Sequence, residues 1–336
     1  MPATIYSVAE RAGVSIATVS RVLQGSSVVS PAARQKVLDA VETLRYVPHA
    51  AARSLAVRHH EAFGLVLPEL SGPYFAEMLM GFETRSAELG RSVTLLLADG
   101  KDDLPRAVAA LAARVDALAV LGASALPLDL ARTLAGRTPV VVIAGAPGAG
   151  AAELPGVERV GAENHCSATE LTTHVLDHGR SRLLFVGDPD IAPDIRDRHA
   201  GFVAAHASRG MAAADPVRVP FRERDGEIVA DQYLAGALEA DGFVCANDEL
   251  ALALLTRLQD AGVVVPDDVA VVGWDDVMAS RYVRPGLTTV RQPVHELGAL
   301  AAHRLHERVA GETPPGPPHV LPTQIVVRGS CGCTSA

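Results

Sequence analysis

Aromatic residues and cysteines are scarce in this chain, and long apolar runs are lacking. Phe, Trp and Tyr together make up 4% of the 336 residues, so aliphatic side chains must fill the core. No apolar segment reaches the roughly 20 residues that a membrane-spanning helix needs. The first residues also lack the apolar stretch of a secretory signal peptide, which predicts a cytoplasmic protein.

The four cysteines are too few for the disulfide framework of a small secreted domain. Cys166 and Cys245 lie in apolar patterns and are expected to be small core residues. Cys331 and Cys333 stand near the C-terminus with no further metal ligand close in sequence. We therefore expect a reduced, exposed pair, no metal site and no cofactor.

Net positive charge is missing from the chain as a whole but not from its beginning. The formal net charge is −9, yet residues 1–60 hold seven Lys or Arg against three acids, a local charge of +4. The remaining residues therefore carry −13. A basic segment on an acidic body concentrates positive potential where a phosphate backbone could bind.

Three short helices are predicted between residues 4 and 45. Thr4, Ser15 and Ser30 can cap them, and Gly13 suits a tight turn between the first two. This is the plan of a helix-turn-helix DNA-binding domain, although an ordinary three-helix bundle stays possible from the pattern alone. The apolar faces expected to form the core are Ile5, Val8, Ala9 and Ala12, then Val19, Val22 and Leu23, then Val37, Leu38, Val41 and Leu44.

The second helix is expected to read DNA in the major groove. Arg21 can donate two hydrogen bonds to a guanine edge, while Ile16 and Ala17 can contact a thymine methyl group. Short hydroxyl side chains suit phosphate oxygens, which fix the register of a protein on the duplex. The expected DNA contacts here are Thr4, Tyr6, Ser15, Ile16, Ala17, Thr18, Ser20, Arg21 and Gln24.

Four motifs resemble the LacI/GalR (lactose-repressor/galactose-repressor) family: Ala3-Thr4-Ile5-Tyr6, the run from Ala12 to Leu23, Tyr46-Val47-Pro48 and Ala52-Arg53-Ser54-Leu55. The resemblance extends along essentially the whole chain. It implies a hinge helix at about residues 49–57, with Ala52 and Leu55 as further DNA contacts. In this family the hinge leucine wedges into the central minor-groove step and kinks the DNA. The alternative for Leu55 is a linker residue that packs on the body.

From Phe63 onward, strand patterns alternate with helix-length segments such as Phe75–Leu89, which predicts βαβ units and parallel sheets in two lobes. The resemblance implies an all-α helix-turn-helix domain, residues 1–60, followed by an α/β two-lobed periplasmic-binding-protein-like effector and dimerisation domain, residues 61–336. The N-lobe would comprise about 61–161 and 291–322, and the C-lobe about 162–290 and 323–330. Crossings are expected near Gly161, Val290 and Thr323. The predicted strands are Phe63–Leu67, Val93–Leu97, Ala117–Leu121, Val140–Ile143, Arg182–Val186, Gly242–Cys245 and Val269–Val272.

Ligands of open α/β sheets bind beyond the carboxyl ends of the strands, where this chain places polar and aromatic residues. Such a mixture suits a polyhydroxylated ligand such as a sugar. The resemblance supports Arg198, Phe221, Asn247 and Asp275 as effector contacts, and the strand-end positions add Tyr74, Phe75 and Asp194.

Five other positions near these strand ends have different expectations. Asp248 and Asp276 have an alternative role as caps of the helices that follow them. Ala144 stands where many relatives have an aspartate, which removes one expected polar contact. Glu163 and Asn164 resemble an interlobe pair with a structural role.

Three function classes fit parts of the chain. A sugar-binding protein of a transport system fits the body alone, and a doubly wound enzyme is disfavoured because its nucleotide and nucleophile motifs are lacking. We therefore expect a non-enzymatic repressor of sugar or carbohydrate genes, controlled allosterically by a small-molecule effector. One headpiece contacts too few base pairs, so a homodimer on a pseudo-palindromic double-stranded operator is expected. No leucine-rich tetramerisation segment follows Arg328, and no membrane partner is expected; the protein would associate with the nucleoid.

Overall fold

The computed structural model describes residues 3–23, 28–46, 60–122, 130, 133–134, 136–143, 156–311 and 316–333. They form two compact units, residues 1–60 and residues 61–336. Within the described ranges, no helix combines the length and apolar character needed to cross a membrane.

The N-terminal unit contains three helices: α1 (Ile5–Ala12), α2 (Ile16–Leu23) and α3 (Pro31–Leu44). The predicted caps are confirmed. The Thr4 hydroxyl accepts from the Ser7 amide, Ser15 from the Thr18 amide and Ser30 from the Ala33 amide. Gly13 ends α1 in the left-handed conformation, at φ 66°, which a glycine adopts without steric cost.

A small aliphatic core holds these three helices together. Val8, Val19 and Val37 are fully buried in it, and Tyr46 packs against the same cluster. One apolar residue of the predicted third stripe is misplaced: Leu38 is exposed, because Ala40 takes the buried position on α3. Since the remaining apolar positions agree, the three-helix prediction is confirmed.

The second unit contains two sheets. The first has the strand order β10-β5-β4-β3-β1-β2 and is parallel throughout. Its strands are β1 (Ala62–Leu67), β2 (Ser92–Leu97), β3 (Ala117–Leu121), β4 (Val140–Ile143), β5 (Val157–Ala162) and β10 (His319–Leu321). Its helices are α4 (Pro73–Glu88), α5 (Leu104–Ala112) and α10 (Val294–Ala310).

The second sheet has the order β11-β9-β8-β7-β6 and is parallel except for the antiparallel pair of β11 and β9. Its strands are β6 (Leu183–Val186), β7 (Gly242–Cys245), β8 (Ala270–Asp275), β9 (Thr288–Arg291) and β11 (Gln324–Val326). Its helices are α6 (His165–Asp177), α7 (Pro193–Ala207), α8 (Glu223–Leu234) and α9 (Asp248–Asp260), and a 3-10 turn spans Met278–Arg281.

Alternation along β1 shows how helices cover both faces of a parallel sheet. Phe63, Leu65 and Leu67 join one apolar cluster with α4 and α10, whereas Ala62 and Val66 join another with α5. Successive side chains of a strand point to opposite faces, so one strand supplies both cores. The predicted parallel α/β architecture is therefore confirmed.

The seven predicted strands are all present, with ends that shift by up to three residues. The strand patterns missed β5, β9, β10 and β11. β10 and β11 have three residues each, too few side chains for a periodic pattern to stand out. β5 (VERVGA) and β9 (TTVR) interrupt their apolar residues with charged or hydroxyl side chains, so neither forms the continuous apolar run seen in the predicted strands.

The chain passes between the sheets after Ala162, after Arg291 and between Leu321 and Gln324. At the last passage the Thr323 hydroxyl donates to the Glu163 carbonyl at 3.0 Å and contacts the Ser167 hydroxyl at 2.7 Å. The Glu163 carboxylate accepts from the Cys166 and Ser167 amides at the start of α6. Glu163 therefore has the structural role expected for it, fixing two passages beside each other.

Two glycines let α4 and α10 approach each other closely. A Cβ added at Gly298 would lie 2.3 Å from the Met78 carbonyl oxygen, and one added at Gly81 would lie 1.9 Å from the His295 carbonyl oxygen. Both neighbours are backbone atoms of the facing helix. The spacing of this helix pair thus depends on the absence of side chains at both positions.

We predict that Gly298→Ala lowers the free energy of unfolding by about 1–3 kcal/mol, the usual cost of overpacking. The added methyl group must displace α4 backbone, which outweighs the better helix propensity of alanine. Gly136→Ala is the matched control, because a Cβ there meets no atom within 4 Å. Urea unfolding curves of both variants test this, and equal stability would contradict the close-packing argument.

Candidate functional site

A cavity of about 280 Å³ lies between the two sheets, at the carboxyl ends of β1, β3, β7 and β8. This is the position that open parallel sheets favour for ligands. The residues predicted as effector contacts all line it: Tyr74, Phe75, Asp194, Arg198, Phe221, Asn247 and Asp275. The topology thus brings together side chains that lie as far as 201 positions apart in the chain.

Arg198 is a buried cation held by three neighbours. Its Nε donates to Asn164 Oδ1 at 2.8 Å, its Nη1 donates to the Ala246 carbonyl at 2.5 Å, and its guanidinium carbon lies 4.5 Å from the centre of the Trp274 ring. The side chain is 5% exposed. These contacts fix the guanidinium plane of a side chain that also lines the cavity.

Asn164 connects the crossing segment to the cavity. Its Nδ2 donates to Asp194 Oδ1 at 3.2 Å and to the Ala162 carbonyl at 3.0 Å, while its Oδ1 accepts from Arg198. The amide is almost fully buried. Asn164 therefore orients Asp194 and Arg198 together, which agrees with the structural role expected for it.

Asp275 ends β8 with a φ of 120°, a conformation that is strained for a side chain other than glycine. Gln292 Nε2 donates to its Oδ1 at 2.6 Å. Burial raises the pKa of Asp275 to about 8; Arg198 acts in the opposite direction, and Asp248 adds to the rise. At neutral pH this carboxyl is therefore mainly protonated and offers both a donor and an acceptor to the cavity.

Asn247 caps α9, with its Oδ1 accepting from the Leu250 amide at 3.1 Å. Its Nδ2 donates to the Phe221 carbonyl at 3.0 Å. The side chain still lines the cavity, but these two bonds fix its orientation. Asn247 also couples the segment that carries Phe221 to the start of α9.

The capping alternative for Asp248 and Asp276 is wrong, since Asn247 caps α9 and no described helix begins directly after Asp276. Asp248 is fully buried and accepts from the Val277 amide and from the hydroxyls of Ser280 and Thr289. Asp276 binds Arg291, Arg281 and Arg328. Burial acts to raise the pKa of Asp276, but the hydrogen bonds from Arg328 and Arg291 outweigh burial and lower that pKa. Both aspartates thus hold the segment behind Asp275 in place.

The other wall of the cavity is aromatic. Tyr74 and Phe75 open α4 and meet edge to face, with ring centres 5.5 Å apart. Burial, followed by the charges of Asp194 and Asp275, raises the pKa of the Tyr74 phenol above its ordinary range. Tyr74 therefore stays a neutral hydroxyl, and this wall can pack against the C–H face of a ligand.

Sequence reasoning missed four polar residues of the lining: Glu69, Arg222, Glu249 and Gln292. Glu69 follows β1 directly, so its strand-end position could have identified it. Gln292 follows β9, a strand that the pattern did not reveal. Burial, and then the neighbouring carboxylates of Glu69 and Glu223, raises the pKa of Glu249.

The N-terminal unit presents part of its predicted DNA-reading set. Tyr6, Ile16, Ala17 and Arg21 are exposed. The hydroxyls of Thr4, Ser15 and Thr18 already serve in helix caps, and Ser15 Oγ lies 2.9 Å from Thr18 Oγ1. Ser20 is half-buried. Gln24, Ala52 and Leu55, together with Ala144, lie outside the described residues.

Three of the four cysteines differ from expectation. Cys166 is exposed rather than in the core, Cys331 is fully buried rather than exposed, and Cys333 is half-buried. Cys245 is buried as expected. The premise that no other metal ligand lies near the C-terminal pair is also wrong, because His174 and His178 lie against it. Sequence separation hid this, since α6 precedes the C-terminal segment by more than 150 residues.

Comparisons with known proteins agree with this architecture. The model described as "Bacterial regulatory proteins, lacI family" matches residues 4–49, and that of the periplasmic binding protein-like domain matches residues 172–331. The HTH-type transcriptional regulator GalR of Salmonella typhimurium is 35% identical over 98% of this chain and 96% of its own length.

Two solved structures superpose along the chain. The transcriptional regulator CelR in its cellobiose complex has a TM-score of 0.73 and 30% identity, over 98% of this chain and 99% of that one. The Lac repressor dimer bound to operator and the anti-inducer ONPF has a TM-score of 0.85 and 25% identity, with the same coverage. The chain therefore belongs to the LacI family of bacterial regulatory proteins, which are DNA-binding transcriptional regulators rather than enzymes.

Proposed function

We propose that this regulator represses genes of carbohydrate metabolism and that a neutral sugar in the cavity between its two sheets sets its affinity for operator DNA. The observation that carries the proposal is the cavity itself, where Arg198, Asp194 and Asp275 lie opposite Tyr74 and Phe75. Fixed polar groups on one side and aromatic rings on the other match the hydroxyls and the C–H faces of a sugar.

The charges of the lining favour a neutral ligand over an anionic one. Glu69, Asp194 and Glu249 are acids of the lining that face the two cations Arg198 and Arg222, while Asp275 is mainly protonated at neutral pH. The Arg222 guanidinium also lies 3.8 Å from the Asp99 carboxylate, which weakens the positive potential that Arg222 contributes to the cavity. A phosphorylated sugar would meet this carboxylate excess and bind less well than its uncharged parent. The cellobiose complex of the similar CelR agrees with a neutral sugar.

Control of DNA binding would follow from lobe movement. Glu69, Tyr74 and Phe75 come from the sheet of β1, whereas Arg198, Phe221 and Asn247 come from the sheet of β6 and β7. A ligand that contacts both groups stabilises one relative orientation of the lobes. We propose the lobe boundaries 61–161 with 291–322, and 162–290 with 323–330. The movement would reach DNA through residues 49–57, which we propose as the hinge helix with Leu55 as its wedge.

We propose that the DNA-bound form is a homodimer on a pseudo-palindromic operator. A single α2 reaches only a few base pairs, and two copies related by a two-fold axis double that number. The similar Lac repressor was solved as a dimer bound to operator. The contacts we assign to DNA are Thr4, Tyr6, Ser15, Ile16, Ala17, Thr18, Ser20, Arg21, Gln24, Ala52 and Leu55. Because operators are chromosomal, the protein would act in the cytoplasm on the nucleoid.

We predict that Arg21→Ala relaxes base preference at one position of each half-site. Loss of a bidentate guanine contact should cost about 1–3 kcal/mol, or roughly 10–100-fold in affinity for the preferred operator. The measurement is selection from a random duplex pool followed by binding to the enriched sequence. Lys36→Ala is the control, since it removes the same charge from the exposed surface of α3. An unchanged base preference in the Arg21 variant would exclude Arg21 from readout.

We predict that Asp194→Asn weakens sugar binding at least about tenfold, because a charge-assisted hydrogen bond is lost, and leaves sugar-free operator affinity unchanged. Trp274 is the single tryptophan and stacks on Arg198, so its fluorescence reports the cavity. Titrations would use cellobiose, monosaccharides and glucose 6-phosphate. Asp190→Asn is the control, since Asp190 lies in the loop just before α7 and binds Arg218 on the surface. Equal affinities of both variants, or preference for the phosphate, would refute this site assignment.

We predict that the stability of the ligand-free protein falls relative to Asp275→Asn as the pH rises from about 5 to 8. The folded-state pKa of about 8 lies above the ordinary value of 3.8, so the folded chain holds an extra proton in this range. Unfolding releases this proton, so each pH unit in this range disfavours the folded state by up to about 1.4 kcal/mol. Urea unfolding at several pH values measures the difference. Parallel curves, or a wild type that gains stability, would contradict a protonated Asp275.

A further inference from the structure

Four metal-binding side chains outside the cavity meet at one point of the second lobe. His174 lies in the last turn of α6 and His178, four residues later, is the C-cap of that helix, a spacing that places both rings on the same side. Cys331 and Cys333 reach the same face from the segment after β11. The ligand atoms of all four residues lie within 4.8 Å of one another.

The individual distances are close to those of a tetrahedral ion site. His174 Nε2 lies 3.3 Å from Cys331 Sγ, His178 Nε2 lies 3.1 Å from Cys333 Sγ, and Cys333 Sγ lies 3.6 Å from His174 Nε2. Zinc bonds of about 2.3 Å to sulfur and about 2.0 Å to nitrogen place tetrahedral ligand atoms roughly 3.5 Å apart. These three distances match an ion site, and the widest separation in the cluster, up to 4.8 Å, would have to close by roughly 1 Å when an ion binds.

We propose that His174, His178, Cys331 and Cys333 form a structural site for a zinc-class divalent ion. Two thiolates and two imidazoles are a ligand set that zinc prefers, and four protein ligands leave no open position for substrate. The spacing of the histidines lies within the usual range of zinc sites, whereas a single residue between the cysteines is one fewer than usual. The site would be independent of the cavity and of its ligand.

The Cys331 thiol donates to the Arg328 carbonyl at 3.4 Å, and a hydroxyl on its other side is placed to stabilise a thiolate when an ion binds. The Thr288 hydroxyl donates to Cys331 Sγ at 3.1 Å. The hydroxyl of the neighbouring Ser330 accepts a hydrogen bond from the Thr288 amide and donates one to the Val271 carbonyl. These two bonds fix the position of Ser330. A second set of hydrogen bonds that orients a metal ligand is usual in structural sites.

The orientation of the two histidine rings suits ligation of one shared ion. The two rings lie 4.8 Å apart at their centres, nearly perpendicular, with both Nε2 atoms close to a cysteine sulfur.

Such an ion would fasten the C-terminal segment to α6. That helix begins at Asn164, which orients Arg198 and Asp194 in the cavity. The ion would stabilise the lobe because a metal that binds only the folded chain shifts the folding equilibrium toward it.

The test uses the full-length protein purified in zinc-containing medium without chelator. We expect about one zinc per chain by elemental analysis and a lower Tm after chelation. Cobalt added to the metal-free protein should give the visible absorption bands of a tetrahedral centre with thiolate ligands. Absence of these bands would overturn the proposal. So would a disulfide between Cys331 and Cys333 that persists in the presence of a reducing agent.

Variants separate the site from adventitious binding. His178→Asn is the main test because its side chain is exposed and its loss threatens folding least. It should reduce bound zinc at least tenfold and abolish the cobalt bands. Cys166→Ser and His303→Asn are matched controls outside the cluster and should retain both. Equal zinc content in His178→Asn and the controls would overturn the proposal even if one variant were unstable.

Discussion

The buried guanidinium of Arg198 is the interaction around which the second lobe is organised. A buried cation is costly unless its N–H groups are paired, and here the partners come from three places: Asn164 at the start of α6, Ala246 after β7 and Trp274 on β8. Meeting that requirement fixes the positions of these elements relative to α7. The same contacts turn Arg198 toward a cavity that a ligand can enter.

The cavity gains a second property from its acidic groups. Burial keeps Asp275 mainly protonated at neutral pH, and burial followed by carboxylate neighbours raises the pKa of Glu249. A protonated carboxyl can donate as well as accept hydrogen bonds, as the hydroxyls of a sugar require. The strained backbone at Asp275 persists because Asp276 and Asp248 hold the adjacent segment through buried ion pairs and hydrogen bonds.

The lobes are joined in a way that suits a two-state regulator. The chain passes between the sheets at separate points in sequence, and Thr323, Glu163 and Ser167 bind two of these passages together. Short connections beside each other allow rotation of one lobe against the other while the cores stay packed. A ligand held by side chains of both lobes can then select one orientation of the lobes, provided that its contacts differ between the two orientations.

The sequence by itself determined the three capped helices of the N-terminal unit, the alternating α/β pattern and the strand-end cavity residues Tyr74, Phe75 and Asp194. These features depend on local spacing, caps and strand ends, which adjacent residues encode. The family resemblance supported the other four cavity residues, Arg198, Phe221, Asn247 and Asp275. The tertiary structure alone decided the roles of Asp248, Asp276, Glu249 and Gln292 and the burial of Cys331. It also placed His174 and His178 beside cysteines more than 150 residues away. Burial and long-range proximity arise from how helices and short strands pack, and no local pattern records that.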